Sequence, residues 1–232
     1  MKGVYFDNIH SFDDLGLILS KAVIEPPSIK TKKIEVPGAD GVINLTQFDG
    51  NVHYYNRKIS LTFTARNANK YWNSIISMVS NALHGKEMDI VLEDDPAYIW
   101  HGVVSVKEQF KKKTIGTIEV EVDAEPYKYS KFTSTDDVEW DSFDFNNGIM
   151  QNLNNILVSD VKEVSFYGYR KSVVPVFMVT ESSTISVIFN GKETQLNCGE
   201  NKILDIVIKE GINTLTFKGE GLVEIRFRGG SL

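Results

Sequence analysis

Apolar and polar residues alternate along much of the chain, and this period-two pattern predicts β-strands. It is clearest in residues 57–66, RKISLTFTAR, where Ile59, Leu61 and Phe63 alternate with polar residues. Successive side chains of a strand lie on opposite faces, so this segment should be a strand with one buried face. Further strands are predicted in VYFDNIHS, GLILSKAVIEPPS, KEMDIVLEDDPAYIWHGVVSVKEQF and KKKTIGTIEVEVDAEPY, the third segment being split by a turn at Asp94-Asp95-Pro96.

Residues 67–85, NANKYWNSIISMVSNALHG, have a helical period instead. Their apolar residues recur three or four positions apart and so fall on one face of a helix. Asn67 or Asn69 can cap its start, and Gly85 suits the position just past its end. The segment is predicted to be an amphipathic helix whose apolar face is made by Trp72, Ile75, Ile76, Val79 and Leu83.

Residues 32–46, KKIEVPGADGVINLT, predict a β-hairpin. Ile34 and Val36 alternate with charged residues, the PGADG segment forces a turn, and apolar alternation resumes at Val42. A lone hairpin is only marginally stable in water. This arm therefore needs a further surface, which either its own chain or another chain can supply.

A domain boundary is predicted near residue 130, where the amino-acid composition of the sequence changes. Residues 133–155 are rich in Asp, Ser and Asn, and short strand-like segments follow: EVSFYGYR, VVPVFMVT, TISVIFNGKETQLN, ILDIVIKEG, INTLTFKGEG and VEIRFRGG. Asn190-Gly191 between two alternating runs is a strong hairpin signal. The prediction is a mostly β protein of two domains: residues 1–130, a β-sandwich with one α-helix and a protruding hairpin arm, and residues 131–232, a second β-sandwich.

Composition removes several classes of function. The formal net charge is −6, which argues against nucleic acid as the main ligand. No run of about 18 apolar residues predicts a membrane span. The single cysteine, Cys198, excludes a disulfide within the chain and a Cys-rich metal site.

Candidate chemistry is sparse, and no catalytic residue, metal site or cofactor is predicted. The four histidines lack metal-ligand spacing, and Glu93-Asp94-Asp95 lacks the alternating ligands of a calcium loop. No nucleophile or phosphate-binding motif occurs. A pair of carboxylates across a cleft in the second domain, as glycosidases use, is left open. The basic run at residues 111–113 predicts either a solvated loop or a contact with an acidic neighbouring subunit.

Aromatic residues in the second half allow a sugar-binding alternative. Trp140, Tyr167 and Tyr169 could stack on a sugar, and the two tyrosines lie two positions apart on one predicted strand face. Aromatic residues at strand spacing belong more often to a core. The sequence leaves both interpretations open.

The order of these motifs resembles the distal tail proteins, or Dit, of phages with long non-contractile tails. The resemblance covers roughly residues 5–130. It rests on the arm IEVPGADGVINLT, the segment from Tyr54 to Arg57 in YYNRKISLTF, the single helix, the Asp94 to Gly102 segment and AEPYKYS. Family members often carry an acid where this chain has Asn44, which removes one charge from the arm. The second half matches only in kind, as a galectin-like or carbohydrate-module-like β-sandwich.

The resemblance implies a homohexameric ring at the tail tip that joins the tail tube to the baseplate. The first domain would build the ring, with the arm at about residues 32–58 lying as a belt across the next subunit. Expected partners are further copies of the chain, the tail tube protein, the tail hub or tip protein, and a receptor-binding protein or host surface glycan. The implied interface residues are Ile34, Val36, Pro37, Gly38, Asp40, Gly41, Val42, Ile43, Leu45 and Arg57.

Two other functions are weighed against the ring. One is a carbohydrate-binding module or glycan-active protein that uses the second sandwich. The other is a tail tube subunit, which the second β-domain disfavours.

Overall fold

The computed structural model describes residues 3–48, 50–65, 68–112, 115–136 and 151–232, without the side chains of residues 68–70 and 181–183. It divides into two compact units, Met1–Lys128 together with Leu232, and Tyr129–Ser231. The fold is mostly β, with one α-helix in the described residues, and this confirms the predicted fold class at that level. The assignment of a ring-forming and a galectin-like domain stays a prediction.

The first unit contains an antiparallel sheet, the helix and a separate hairpin. The sheet order is β2-β1-β7-β8-β9-β6-β3, while β4 and β5 form a two-stranded sheet of their own. The elements are β1 (Val4–Phe6), β2 (Ile9–His10), β3 (Leu17–Ile24), β4 (Lys33–Glu35), β5 (Val42–Asn44), β6 (Arg57–Ala65), α1 (Ala68–Leu83), β7 (Glu87–Leu92), β8 (Tyr98–Lys112) and β9 (Ile115–Ala124).

The segment VYFDNIHS forms two strands rather than the single predicted one. Phe6 lies opposite Ile9, so β1 turns back on itself as β2 through Asp7 and Asn8. Asp7 has a φ of +50°, a left-handed conformation that Asp tolerates better than most residues. Because apolar residues lie on both sides of this turn, the sequence pattern resembles that of one continuous strand.

The core of the first unit lies between the sheet and helix α1. Ile59, Leu61 and Phe63 of β6 are fully buried, as their alternation predicted. Val79 and Leu83 of the helix are buried against them, and Trp72 and Ile75 pack at the edge of the same cluster. Gly85 follows the helix with a φ of +76°, which confirms its predicted place. Of the two predicted caps, Asn67 lies outside the described residues and Asn69 lies inside the helix.

The second unit is built on three long strands. Its main sheet has the order β11-β15-β12-β13, with β14 also paired to β12, and β10 pairs with β16. The strands are β10 (Lys128–Thr133), β11 (Ile156–Gly168), β12 (Val176–Phe189), β13 (Lys192–Leu196), β14 (Gly199–Lys202), β15 (Gly211–Arg226) and β16 (Arg228–Ser231). Their inner faces enclose a separate core that includes Phe166, Phe177, Phe217 and Ile225.

The long strands bend rather than end where the sequence suggested turns. Gly219 has a φ of +111° and lies opposite Asp160, which has a φ of +67°. Across β12 the register shifts between Ser182 and Thr184. A Cβ on Gly219 would lie 1.8 Å from the Thr184 carbonyl oxygen, so only glycine fits the bend.

Two predictions for the second half have opposite outcomes. Asn190 and Gly191 adopt φ of +49° and +77° and connect β12 to β13, which confirms the predicted hairpin. The predicted strand ILDIVIKEG is wrong, because it contributes only an isolated bridge between Ile208 and Val173. Its apolar residues Ile206 and Ile208 are nevertheless buried in the core, so burial and not pairing explains its pattern.

Candidate functional site: the exposed arm

The candidate site is the arm, which we define as residues 25–56 between β3 and β6. Its base is a short stem in which Ile29 pairs with Tyr54. The Lys30 N–H donates to the His53 carbonyl at 2.8 Å, and the Tyr55 N–H donates to the Ser28 carbonyl at 2.8 Å. The stem leads into the hairpin of β4 and β5.

The hairpin turn has the geometry that its glycines predicted. Gly38 and Gly41 have φ of +83° and +82°, and the Ala39 N–H donates to the Val36 carbonyl at 3.1 Å. A Cβ on either glycine would meet nothing within 4 Å. Glycine is therefore favoured at these two positions by the positive φ and not by a lack of space for a side chain. Pro37 and Asp40 complete this exposed turn.

The β4–β5 ribbon has one aliphatic face and one mixed face. Ile34 lies directly opposite Ile43, and residues two positions along a strand share a face, so Val36 and Leu45 extend this side. We call these four residues the aliphatic face. The other face carries Lys33 opposite Asn44 and Glu35 opposite Val42. Val42, which was predicted as an interface residue together with the isoleucines, therefore points the opposite way.

Asn44 and Thr46 organise the end of the ribbon. The Thr46 N–H donates to Asn44 Oδ1 at 3.0 Å, and the Lys32 N–H donates to Thr46 Oγ1 at 3.2 Å. Asn44 thus closes a local turn. It also lines an open cavity of about 310 Å³ with Thr46, Gln47 and Phe48.

No described residue between positions 21 and 56 is buried. Ile34 and Ile43 are 43% and 52% exposed, and Phe48 is 79% exposed. Ile29 and Tyr55 of the stem are exposed as well. Sequence reasoning missed Ile29, Phe48 and Tyr55, because none of them belongs to an alternating run.

Arg57, predicted as part of the arm interface, occupies a different environment. It is the first residue of β6 and is only 6% exposed, with its guanidinium 4.8 Å from the centre of the Trp100 ring. Its Nε and Nη2 have no hydrogen-bond partner among the described residues, and burial lowers its pKa. Tyr54, three residues earlier, packs edge-on against Tyr127. Tyr54 and Arg57 therefore anchor the arm to the rest of the first unit, whereas Tyr55 between them stays exposed.

Titratable groups cluster on the solvent face of the first unit. His101 Nδ1 lies 2.8 Å from Asp89 and Nε2 lies 3.2 Å from Glu87, and the bond to Asp89 is the main cause of a raised His101 pKa. At the Asp94-Asp95-Pro96 turn, Asp95 forms a 2.6 Å ion pair with Lys128. Within the described part of the chain, no group of three or more His, Cys, Asp or Glu could hold a metal ion.

The helix seen in the described residues is too short and too polar to cross a bilayer.

The residues of the sugar-binding alternative do not form one platform in the described structure. Tyr167 is exposed at the end of β11, opposite Ile212, whereas Tyr169 packs against the core beside Gly229. Burial raises the Tyr169 pKa. The two tyrosines separate because β11 ends at Gly168, so the strand alternation does not reach residue 169. Trp140 lies outside the described residues.

Comparison with known proteins finds similarity in structure and none in sequence. No family model and no curated relative matches the chain. The crystal structure of the SPP1 Dit (gp 19.1) protein, described as a paradigm of the hub adsorption apparatus in phages that infect Gram-positive bacteria, matches with a TM-score of 0.64. The match covers 100% of both chains at 12% sequence identity. The fold expected from the distal tail resemblance is thereby confirmed over the full length.

Proposed function

We propose that this chain is a structural subunit of a phage tail tip or baseplate. In this proposal six copies form a ring that joins the tail tube to the tip or host-recognition apparatus. The observation that carries it is the arm, in which Ile34 and Ile43 form an aliphatic face although no described residue from 21 to 56 is buried. The fold shared with SPP1 Dit supports the same assignment.

The arm suits a contact that closes around a ring. Fully burying an aliphatic side chain contributes roughly 1.5–3 kcal/mol, but ordering the arm and fixing two subunits offsets much of this gain. In a closed ring every copy donates one arm and accepts one, so a modest surplus is repeated at every interface. The same contact between only two copies would leave one arm and one acceptor surface unused.

The proposed setting follows from this role. The chain would be assembled in the host cytoplasm and reside in the virion at the tail tip. Its partners would be its own copies, the tail tube protein and the tail hub or tip protein. The second unit, as a galectin-like sandwich, would hold a receptor-binding protein or contact a host glycan. No catalytic step and no cofactor enter the proposal.

The test changes one face of the ribbon at a time. Ile34→Asp with Ile43→Lys places an opposite-charge pair on the aliphatic face, and Val42→Lys with Asn44→Asp places such a pair against Glu35 and Lys33 on the other face. Each variant adds one positive and one negative charge and preserves cross-strand attraction. The first should lose ring mass in light scattering, and the second should keep it. Both should melt like the wild type.

The outcomes separate three cases. A first variant that retains hexameric mass would contradict the arm contact. A first variant that unfolds would show that the arm stabilises its own unit. A wild-type chain that stays monomeric at every concentration reached would contradict the ring.

The second candidate function is glycan binding by the second unit. It is favoured by exposed Tyr167 and Ile212, which lie directly opposite each other on strands β11 and β15. Glycan binding by a monomer that is lost in Tyr167→Ala, with ring mass absent, would support this function over the ring.

A further inference from the structure

Two positive side chains of the first unit lie over aromatic rings of the same strand. Tyr98 and Trp100 of β8 are two positions apart, so both lie on the buried face of the sheet. The Lys128 ammonium lies 3.8 Å from the centre of the Tyr98 ring, and the Arg57 guanidinium lies 4.8 Å from the centre of the Trp100 ring. The two sites therefore share the same contact between a cation and an aromatic face.

The two cations differ in whether the described residues supply a carboxylate partner. Lys128 forms a 2.6 Å ion pair with Asp95. Arg57 is 6% exposed, and its Nε and Nη2 atoms are buried without a hydrogen-bond partner in the described structure. A buried positive charge is costly unless an opposite charge compensates it. The comparison with Lys128 identifies a carboxylate as the group that Arg57 lacks.

The two unpaired atoms of Arg57 are a matched pair of donors. Nε–H and one N–H of Nη2 point in the same direction along one edge of the guanidinium, and this fork fits the two oxygens of a carboxylate. Arg57 is the first residue of β6, so its long side chain lies at the end of the strand, where it can turn from Trp100 towards solvent. This geometry suits an aspartate or glutamate side chain that arrives from outside the unit.

The described part of the arm carries three acidic residues, which differ in their local surroundings. Glu25 lies at the root of the arm beside Lys58, whose carbonyl accepts a hydrogen bond from the Glu25 N–H at 3.0 Å. Glu35 shares the mixed face of the ribbon with Lys33, two positions away. Asp40 lies in the exposed turn and has no hydrogen bond or ion pair with a described residue. Asp40 is therefore the arm carboxylate whose charge is left unbalanced.

The length of the arm holds Asp40 and Arg57 of one chain apart. The two legs of the arm are paired at the bridge between Ile29 and Tyr54 and again in the ribbon of β4 and β5. In the described residues β4 and β5 pack extensively only on each other, so the tip does not fold back onto the root. A donor at one end of the arm and an acceptor at the other suit a head-to-tail contact, which a ring repeats at every interface.

We infer that Arg57 of one copy binds the Asp40 carboxylate of a second copy. On assembly the guanidinium turns from the Trp100 ring and donates from Nε and Nη2 to the two carboxylate oxygens. The single chain keeps this charge buried without an acceptor, and the second copy supplies the acceptor. The inference rests on the proposed ring and names an ionic contact between the tip of one arm and the root of the next.

The first test separates stability from assembly. Arg57→Met removes the charge but keeps a long side chain that can pack on Trp100. Because the charge is unpaired in the single chain, this variant should melt no lower than the wild type, yet it should need about tenfold more protein for half-assembly. The matched control, Lys128→Met, breaks the pair with Asp95, so it should melt lower and assemble within about threefold of the wild type. If Arg57→Met melts lower and assembles normally, Arg57 is a structural residue and the inference is overturned.

The second test asks whether Arg57 and Asp40 act as a pair. Asp40→Asn should weaken assembly about as much as Arg57→Met, and the double variant should be no weaker than either single variant. Glu35→Gln is the control because it removes an exposed acid from the same hairpin, and its effect should simply add to that of Arg57→Met. Coupling of Arg57 to Glu35 instead of Asp40, or to neither, would overturn the inference.

The third test detects the contact without requiring a stable ring. In a Cys198→Ser background, Ala39→Cys beside the tip is combined with Tyr55→Cys beside the root, and a short bifunctional thiol reagent is added. Chains should become linked to one another, since both positions are exposed. The control combines Ala39→Cys with Glu108→Cys, an exposed position further along β8, and should give no more linkage than either single cysteine.

The results distinguish failure of this inference from failure of the proposed function. If the wild type forms rings but the effects of Arg57→Met and Asp40→Asn add and no linkage forms between tip and root, only this inference is overturned. If no rings form but the linkage appears, the contact between tip and root stands and the ring does not. If neither rings nor linkage appear, both are overturned.

Discussion

The arm and strand β6 are neighbours in the chain and share an alternation of apolar and polar residues, but only β6 is buried. In β6, Ile59, Leu61 and Phe63 are completely enclosed. In the arm, Ile34 and Ile43 are equally aliphatic and remain about half exposed. Alternation therefore identifies a strand that has an apolar face, but it does not identify the surface that covers this face.

The strongest test of this contrast removes side chains from each region. Phe63→Ala should lower the free energy of unfolding of the first unit by about 3–5 kcal/mol, because it leaves a cavity beside Phe6. Ile43→Ala should change it by less than about 0.5 kcal/mol in the single chain. Urea unfolding of both variants under non-assembling conditions measures the difference. Similar losses would mean that the arm belongs to the core of its own unit.

A second test compares glycines with positive φ in the two regions. Gly219→Ala should cost more than about 2 kcal/mol in the second unit, since its Cβ would collide with the Thr184 carbonyl in a left-handed conformation. Gly38→Ala has an unfavourable φ but open space, so only the hairpin tip should be strained, by about 1 kcal/mol. Thermal melting should show a large shift for the first variant and almost none for the second. The reverse order would contradict the bend at Gly219.

The smallest expected effect concerns the exposed ion pairs that His101 forms in the first unit. The folded-state pKa of His101 is raised by Asp89 and Glu87, so its stabilising contribution is complete below the unfolded pKa of about 6.5 and is lost as pH rises through the higher folded pKa. The ion pairs are largely exposed to solvent. The melting temperature should therefore fall by no more than about 2 °C between pH 6 and pH 8. His101→Gln should remove this part of the pH dependence, and an unchanged slope would contradict it.

Local sequence signals predicted the elements better than they predicted the length of the strands. Asn190-Gly191 and Gly85 specify backbone conformations that few other residues accept, so the hairpin and the helix end could be predicted. Gly219 carries the same kind of signal but lies inside a 16-residue strand. From the sequence alone, a glycine that bends a continuous strand cannot be distinguished from a glycine that forms a turn between two strands.

The sequence predicted the hairpin arm, and the pairing register of β4 with β5 showed which of its residues share a face. The sequence indicated the arm and most of its aliphatic residues. The division into two faces needed the pairing of Ile34 with Ile43 and of Glu35 with Val42. Arg57 was grouped with the arm because a motif contains it, and only the structure shows it stacked on Trp100.

The two-stranded ribbon has a consequence for the life of the protein before assembly. Because β4 and β5 pair only with each other in the described structure, each strand leaves one row of backbone donors and acceptors open to further pairing. Open strand edges next to aliphatic side chains are templates for aggregation. In the proposed ring, newly made chains would divide between ordered closure and disordered association. The rate of ring assembly relative to the rate of synthesis would then determine how much protein is lost to aggregation.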